Sequence, residues 1–563
     1  MGGTLNEIDT LRCRRYSFVI FFAVLLMYLV LPTKNYYWDG ISLSYDVEHA
    51  ESRPLLHQNH LLYGPLAHVA WHTNHALFPG VQALGLLQVI NAFFGAATVA
   101  VFYRALLYIF DSSYLATCLS LVLAFSATWW KFSTDVDSYV PSIFFLVLGL
   151  LLVSPGRNAK PIALGCIHAC GMLLHQLAAL FAPVLILALW QQKANQTSLQ
   201  KVAAIARYAI TASIITVAMY SAAFVAHFGT FHLPSLLRWV TSHSQDVSFS
   251  FAIGENLVTS VVGHIKLVLG GRVPLIRAVW NPFLALTTAS LIALATLLIL
   301  RLRSGGKLNV GNGYSHATWM ASIWIGIYFA FLLVWLPRNT FYRLFYLPGL
   351  LILLGTFIAG TRKRHYRLAL AVAALFFWNL GFHIYPYAQP AANPTLQNAQ
   401  ALQTIWSPGT IVYWDVYAAD NRTIQYFNPQ VKWKELWGRA WVGDIQQTMD
   451  AASAAGKGLW FDLPALERFA AEDHEFQAWL ATNCQLGSKY EFTNGNHRTG
   501  FVQLIPKNLT RSARMTRMGR TEFLSLPTGL MACGPFASFA HFAAKTFAKI
   551  EENVGFDAYW SSM

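Results

Sequence analysis

The chain has 563 residues, of which 55% are hydrophobic and only 12% are charged, whereas an average soluble domain carries about 25% charged residues. Its mean hydropathy is +0.41, and long apolar runs recur from residue 17 to residue 385. A soluble, disordered or collagen-like protein is excluded, because so few charges could not cover so much apolar surface. The sequence therefore predicts a polytopic α-helical membrane protein.

The net charge of the chain is +14. In a soluble protein this excess would suggest a nucleic-acid partner, but membrane proteins retain Lys and Arg in their cytoplasmic loops. We therefore expect a membrane environment and no nucleic-acid partner. The six cysteines show neither a disulfide framework nor zinc-ligand spacing.

About 11 transmembrane helices are predicted from the apolar segments. These lie at about 16–31, 81–110, 113–130, 138–153, 161–174, 176–190, 204–226, 282–300, 317–336, 344–360 and 368–385. Arginines before the first span place the N-terminus in the cytoplasm, and the Lys and Arg of four later loops fall on the same side. The alternative is one long span over 161–190, which would invert everything after it.

An odd number of spans puts residue 386 on the extracytoplasmic side of the cell inner or plasma membrane. The chain then divides into a transmembrane domain, 1–385, a small C-terminal extramembrane α/β domain, 386–510, and a tail, 511–563, of uncertain structure. A twelfth span at 522–543 is the alternative for the tail, although the arginines before it would then lie on the wrong face.

The α/β prediction for 386–510 comes from alternating patterns. Strand-like runs begin at Gly409, Gly458 and Gly500, and helical spacing separates them over 444–455 and 463–479. No Gly-rich phosphate loop opens these helices, so nucleotide binding has little support here.

Two predicted outer loops, 32–80 and 227–281, are long enough to carry function. In the first loop, Asp39 follows Tyr36, Tyr37 and Trp38 at the membrane surface. A carboxylate among aromatic side chains is expected to have a raised pKa and suits a general base. The alternative is a helix N-cap after the aromatic belt.

The first loop is also rich in histidine. His68, His72 and His75 follow helical spacing on one face, and His57 and His60 lie nearby. A metal site is conceivable, but no carboxylate recurs at a fixed offset among them, so histidines facing water or headgroups are the alternative. We leave divalent metal open.

A second acidic segment precedes the fourth span, where Asp135 and Asp137 fall on the same side as Asp39. Two acidic turns that converge at one membrane face could form a general-base or metal site. The alternative is an ordinary helix start, with Ser138 as a cap and Pro141 in the first turn.

Arg338 and Arg343 lie in the short outer turn between the ninth and tenth spans. Positive charge on this side runs against the positive-inside trend, and arginine can grip a phosphate with two parallel hydrogen bonds. The alternative is snorkelling of both side chains to lipid headgroups.

These motifs resemble those of GT-C membrane glycosyltransferases in their order along the chain and in the side of the membrane on which they are expected. The nearest subgroup is that of protein O-mannosyltransferases and lipid A aminoarabinose transferases. Tyr37-Trp38-Asp39-Gly40 looks like the first-loop Asp of that family, and His57-Gln-Asn-His-Leu-Leu-Tyr63 looks like its following segment. Asp137-Ser-Tyr-Val-Pro resembles the turn before its fourth span, and Gly171-Met-Leu-Leu-His175 resembles a later pattern. Asp137 replaces the more usual Glu, and Pro is missing beside Asn59.

The resemblance covers about residues 10–510 and implies a fold and an activity. A sugar would move from a polyprenyl-phosphate donor to a lipid, glycan or protein acceptor on the extracytoplasmic face of the cell envelope. Asp39 would be the base, with Asp137 and Asp135 as further catalytic candidates. The implied substrate-binding residues are Arg338, Arg343, His57, His60, Tyr63 and His175. Some relatives use a divalent metal and others do not.

Two other classes of function stay open. A transporter of a lipid-linked sugar or an anion would usually show internal repeats and charges in the middle of the membrane, whereas here the charges cluster at one face and we find no repeat. A non-catalytic envelope assembly protein would use the α/β domain for binding.

Overall fold

A computed structural model gives the architecture of the chain. It describes residues 7–49, 55–192, 197–245, 249–271, 281–303, 314–359, 365–415, 419–436, 440–455, 458–494 and 497–507. The chain divides into two compact units, with the boundary between Gln389 and Pro390. The proposed twelfth span at 522–543 lies outside the described residues.

The first unit is helical throughout. Its helices are α1 (Glu7–Val30), α2 (Trp38–His49), α3 (Tyr63–Leu77), α4 (Ala83–Phe110), α5 (Ser113–Phe125), α6 (Ala127–Ser133), α7 (Tyr139–Leu152), α8 (Pro161–Leu174), α9 (Ala182–Gln192), α10 (Ser198–Phe228), α11 (Leu233–Gln245), α12 (Ile253–Val268), α13 (Leu284–Arg303), α14 (Ser315–Trp335), α15 (Leu347–Ala359) and α16 (His365–Asn379). Short 3-10 helices precede α3, α9 and α15 at Gln58–His60, Gln176–Phe181 and Phe341–Tyr346, and a π-turn, Leu380–Ile384, follows α16. Below, the side on which α1 ends is called the outer side.

Each predicted span coincides with a helix, but several of these helices are interrupted. By length and apolarity, five helical segments of the described chain could cross a membrane, or six if α5 and α6, which meet at a 67° bend, form one span. Three shorter apolar segments accompany them: Tyr139–Leu152, Pro161–Leu174 and Gln176–Gln191. A polytopic membrane protein is confirmed, and the count of eleven stays a prediction.

The region 161–190 forms two segments rather than one. Helix α8 ends at Leu174, and His175 is extended, with φ −160° and ψ 128°. The Nε2 atom of His168 lies 2.9 Å from the carbonyl oxygen of Ala178, whereas ten residues of continuous helix would separate them by about 15 Å. The chain therefore turns back at His175.

The core of this unit is aromatic and continuous across the helices. Trp129 and Trp130 of α6 and Trp324 of α14 are among its largest fully buried side chains. Trp130 stacks on Phe376 of α16 at 5.7 Å, so the short helix α6 is tied to a long one. This matters for the site, because α6 leads directly into the acidic segment.

The second unit contains a five-stranded mixed sheet. Its elements are α17 (Pro394–Ile405), β1 (Ile411–Trp414), α18 (Ala419–Phe427), β2 (Lys432–Glu435), α19 (Ala440–Ala454), β3 (Leu459–Asp462), α20 (Leu463–Glu472), α21 (His474–Asn483), β4 (Cys484–Asn494) and β5 (His497–Pro506). The strand order is β2-β1-β3-β5-β4. Strand β1 runs parallel to β2 and β3, and β5 pairs antiparallel with β3 and β4.

Alternate residues of the central strands pack on opposite faces of this sheet. Tyr413 and Phe461 join a core with α19, α20 and α21, whereas Val412 and Trp414 join a second core with α17 and α18. Strands β1, β3 and β5 lie on the runs predicted from the sequence. Both edge strands were missed, because Lys432-Trp-Lys-Glu is charged and β4 is mostly polar.

Candidate active site at the outer membrane face

Asp39 lies in the first turn of α2, which begins at Trp38, so it is inside the helix rather than capping it. The next residue, Gly40, touches the backbone of the turn 134–138, called the acidic turn below. A Cβ atom at Gly40 would come 2.4 Å from the carbonyl oxygen of Val136. The missing side chain lets the start of α2 pack directly on the acidic turn, and this contact brings Asp39 close to Asp135 and Asp137.

Asp135 holds the two outer segments together. It is fully buried, and its Oδ2 atom accepts hydrogen bonds from Lys131 Nζ at 2.7 Å and from the backbone N–H of Tyr37 at 3.0 Å. Its Oδ1 atom accepts from the N–H of Val136 at 2.9 Å. Both oxygens are already bonded, so this carboxylate positions the site.

Asp137 is also buried, but one of its oxygens is free. Oδ1 accepts from the N–H of Tyr139 at 3.0 Å, whereas Oδ2 has no hydrogen-bond partner among the described residues. Burial, followed by the negative charge of Asp39, raises the pKa of Asp137 well above its usual range. Asp137 therefore tends to keep a proton beside Asp39.

Asp39 differs from both, because its side chain remains open to solvent. Protein surrounds it on the other sides, and this desolvation raises the pKa of Asp39 to about 6. A carboxylate with such a pKa is ionised at neutral pH and still basic enough to accept a proton. The structure therefore brings Asp39, Asp135 and Asp137 together in three different environments.

Aromatic side chains line the same place. The hydroxyl groups of Tyr37 and Tyr342 hydrogen-bond to that of Tyr139. Phe341 stacks on Tyr139 at 5.3 Å and meets the edge of Tyr37 at 5.2 Å. The outer turn that carries both arginines thus contacts the acidic site through Phe341 and Tyr342.

Sequence analysis missed Lys131 and Tyr342. Lys131 is 12% exposed, and its ammonium group lies 4.7 Å from the ring centroid of Phe132 and 5.7 Å from that of Tyr37. The spacing of Lys131 and Asp135, four residues apart, is that of a helical ion pair and was the available signal. No sequence signal distinguished Tyr342 from its aromatic neighbours.

The two predicted phosphate-binding arginines lie in different environments within residues 336–346, called the arginine turn below. Arg338 is 41% exposed and pairs with Glu255 at 3.2 Å. Arg343 has no exposed surface. Its guanidinium donates to Tyr346 Oη at 2.9 Å, Ser260 Oγ at 3.1 Å and the carbonyl oxygen of Pro337 at 2.6 Å.

The burial of Arg343 follows from its surroundings. Every residue of the 3-10 helix Phe341–Tyr346 is buried, and α12 packs over it at Gly263. A Cβ atom at Gly263 would come 2.6 Å from Arg343 Nε. A donor phosphate cannot reach Arg343 in this conformation.

The remaining predicted substrate residues lie around the site. Tyr63 donates to Asn91 Oδ1 at 2.9 Å, and Asn91 donates to the carbonyl oxygen of Asp137 at 2.7 Å. His175 is buried and packs 5.0 Å from Tyr139. Tyr63 therefore lies against the backbone of Asp137, whereas His175 is joined to the site through Tyr139.

His57 and His60 stack on each other at 4.4 Å. His57 caps the 3-10 helix Gln58–His60 by accepting from the N–H of Asn59. Gln176 donates to the carbonyl oxygen of Gln58 at 3.0 Å, so this pair lies beside the chain reversal at His175.

The histidines of α3 do share one face, as their spacing predicts, and the ring of His68 stacks on that of His72 at 5.9 Å. Among the described residues no group of three or more His, Cys, Asp or Glu side chains could hold a metal ion. Asp39 and Asp137 supply two carboxylates, and Asp135 is committed to Lys131. These residues alone do not form a preformed metal site.

Two solved structures share the fold of this chain. One is ArnT from Cupriavidus metallidurans bound to undecaprenyl phosphate, with a TM-score of 0.52 and 12% identity over 88% of this chain and 97% of that one. The other is the same protein in the apo state, with a TM-score of 0.54 and 12% identity over 86% and 97%. The fold predicted from the motif order is confirmed. No family model and no curated relative match the sequence.

Proposed function

We propose that this chain is a membrane glycosyltransferase that moves a sugar from a polyprenyl-phosphate donor to an acceptor hydroxyl on the extracytoplasmic face. The observation that carries the proposal is Asp39, a solvent-open carboxyl with a pKa of about 6, held against the acidic turn by Gly40. The fold supports it, since the ArnT that shares this fold is bound to undecaprenyl phosphate.

The reaction begins with Asp39 in its ionised form. Its carboxylate takes the proton from the acceptor hydroxyl, and the oxygen attacks the anomeric carbon of the donor sugar. The bond between that carbon and the phosphate oxygen breaks, and the lipid phosphate leaves with the electron pair. Both substrates reach Asp39 from the open side of the site.

The two neighbouring carboxyls have different tasks. Asp137 is buried together with its Oδ2 atom, and burial and the charge of Asp39 raise its pKa, so it acts on the base beside it rather than on the sugar. Asp135 binds no substrate and keeps Lys131, Tyr37 and the acidic turn in place. Replacing Asp135 would therefore act on geometry.

Stabilisation of the departing phosphate requires accessible cations. Lys131 and Arg338 both retain exposed surface, 12% and 41% respectively, and each would exchange part of its carboxylate pairing for the phosphate. Arg343 instead stabilises the turn that carries Tyr342. This assignment changes the expected role of Arg343 from phosphate ligand to positioning residue.

The test is transfer by purified protein in proteoliposomes. Radiolabelled polyprenyl-phosphate hexoses and pentoses are supplied on one side with an envelope extract as the acceptor source. We expect label to leave the donor lipid and enter an acceptor, and to do so in the Asp46→Asn variant, which changes another carboxyl of α2. Label that crosses the bilayer still attached to its lipid would identify a transporter and refute the proposal.

The orientation of the site is tested separately. A reporter that is active only outside the cytoplasm, fused after Gln389, is expected to be active, because an odd number of spans places this residue opposite the N-terminus. Activity of a cytoplasmic reporter at the same position would contradict both the count of eleven and the extracytoplasmic site.

A further inference from the structure

Helix α12 buries its polar face and exposes its apolar face. The buried residues include Asn256, Thr259, Ser260 and Gly263. The outward side chains are Leu257, Val258, Val261 and Ile265, which are 42%, 61%, 59% and 46% exposed. A helix on the surface of a water-soluble domain has the opposite arrangement.

The inward face of α12 is committed to specific polar contacts. Ser260 Oγ accepts from the buried Arg343 at 3.1 Å, and His264 Nε2 lies 2.8 Å from Tyr346 Oη. Asn256 donates to the carbonyl oxygen of Ser250 at 2.9 Å. The helix cannot rotate to bury its valines without breaking these bonds.

Contacts with α14 show that α12 descends from the outer end of that span. At the N-terminal end, Ser250 N–H donates to the carbonyl oxygen of Val334, and Glu255 pairs with Arg338. Farther along, His264 packs 5.9 Å from Phe329, which lies six residues before the end of α14 at Trp335. Six helical residues span about 9 Å, so α12 reaches this depth by His264.

The chain that follows α12 is hydrogen-bonded by a neighbouring membrane helix. Asn379 donates to the carbonyl oxygen of Val268 and accepts from the N–H of Gly270, and Trp378 Nε1 donates to the carbonyl oxygen of Gly270 at 3.0 Å. Non-helical backbone is tolerated at membrane depth only when protein satisfies its polar groups in this way.

We propose that α12 is a membrane-embedded segment that enters the outer leaflet obliquely, with Leu257, Val258, Val261 and Ile265 packed against lipid acyl chains. The outer leaflet hydrocarbon is about 15 Å deep, so the C-terminal half of α12 lies within it. Lipid is the fitting occupant because these four side chains are apolar and α12 packs beside α14, a candidate span whose apolar window is only 33% buried. The proposal does not depend on the proposed catalytic function.

The consequence is a different account of residues 227–281. They form an outer loop only in part, since α12 is a wall of the membrane domain between lipid and the arginine turn. The polar face of α12 then supplies Arg343 with hydrogen bonds at a depth where water could not. Glu255 and Arg338 mark the level at which the segment leaves the headgroup region.

The test compares single cysteines at three exposed apolar positions in a variant whose native cysteines are replaced. Val261→Cys probes α12, Ile214→Cys probes α10, a candidate span, and Leu486→Cys probes strand β4. The three native side chains are 59%, 62% and 54% exposed. Each variant carries a bimane label in vesicles, with quenching by acyl-chain-brominated phospholipid or by aqueous iodide. We expect Val261 to follow Ile214, with loss of fluorescence in brominated lipid and little change with iodide.

Two results would overturn the proposal. Quenching of the Val261 label by iodide, as at Leu486, would mean that α12 faces water, and protection from both quenchers would mean that protein covers it. Val258→Cys, 61% exposed on the same face, repeats the measurement if the first variant does not fold. No turnover is measured, so the result is independent of the glycosyltransferase assay.

Discussion

The acidic turn and the arginine turn occupy similar places in the sequence and differ in structure. Each is a short charged connection between apolar helices on the outer side. In the first, Asp137 and the adjoining Asp39 face a site that is open at Asp39. In the second, Arg338 is exposed and paired, whereas Arg343 is completely buried. Charge in such a turn therefore does not determine whether the side chain faces solvent or the protein interior.

The difference arises from what packs on each turn. Gly40 lets the start of α2 approach the backbone of Val136, which leaves Asp39 at the edge of the contact. Gly263 lets α12 lie directly on the guanidinium of Arg343, which closes the arginine turn. In both turns a glycine in a distant segment determines how the charged residue is used.

The strongest test of this comparison is Asp39→Asn. The amide keeps the size of the side chain but cannot accept a proton, and general-base catalysis contributes about 10²–10⁴-fold. We expect kcat to fall by that factor while donor binding persists, as measured by transfer and by donor titration in proteoliposomes.

If Asp39→Asn keeps its activity and Asp137→Asn does not, the base lies in the acidic turn itself. Asp46→Asn is the matched control, since it makes the same substitution in the same helix, and we expect its kcat to be unchanged.

Arg343→Ala tests whether the buried arginine stabilises the arginine turn rather than binding the donor phosphate. Loss of charged hydrogen bonds to Ser260, Tyr346 and Pro337 should lower the free energy of unfolding by about 1.5–3 kcal/mol. Thermal unfolding in detergent measures this effect. The KM for the donor should stay constant in the folded fraction, and a raised donor KM with unchanged thermal stability would restore Arg343 as a phosphate ligand.

Arg338→Ala should change the donor KM and leave thermal stability nearly unchanged, which is the reverse of the result expected for Arg343→Ala. Its exposed pair with Glu255 contributes about 0–1 kcal/mol, so thermal stability should hardly change. Loss of one charged hydrogen bond to the donor phosphate should raise the donor KM about tenfold. A donor KM equal to that of the parent protein would leave Lys131 as the phosphate ligand.

The pH dependence sharpens the assignment of Asp39. Its raised pKa of about 6 means that kcat/KM should fall about fourfold between pH 7 and pH 5.5, because the base must be ionised. Stability changes in the opposite sense: the folded state holds this proton more tightly than the unfolded chain, whose carboxyl has a pKa of 3.8. The contribution of Asp39 to stability is therefore present at low pH and is lost as the pH rises through about 6.

Activity and the contribution of Asp39 to stability thus change in opposite directions with pH. This difference distinguishes protonation of the base from acid unfolding. A fall in activity at pH 5.5 with unchanged or higher thermal stability supports Asp39 as the base. The residual activity of Asp39→Asn should not fall between pH 7 and pH 5.5. A fall that persists in this variant would mean that another group causes it.

The sequence determined the long apolar helices, their approximate ends and the existence of the α/β unit. These features follow from local patterns, since apolar runs must be buried or face lipid and strand–helix alternation predicts a layered unit. Edge strand β4 was missed because its side chains are largely polar, although it pairs with the next strand along the chain, with Tyr490 opposite Phe501.

Part of the candidate site was also predictable. Asp39, Asp135 and Asp137 were expected on one face because each lies a few residues beyond or before an apolar run. Their separate roles were not, because they depend on the ion pair with Lys131 and on the free Oδ2 atom of Asp137.

Only the tertiary structure decided where the charged side chains point. Arg338 and Arg343 lie in one turn and carry the same charge, and no local sequence pattern distinguishes them. Arg343 is buried because α12, about 80 residues away in the chain, places Ser260 and Gly263 against it. Such contacts join segments of distant sequence, so no local pattern of hydropathy or charge records them.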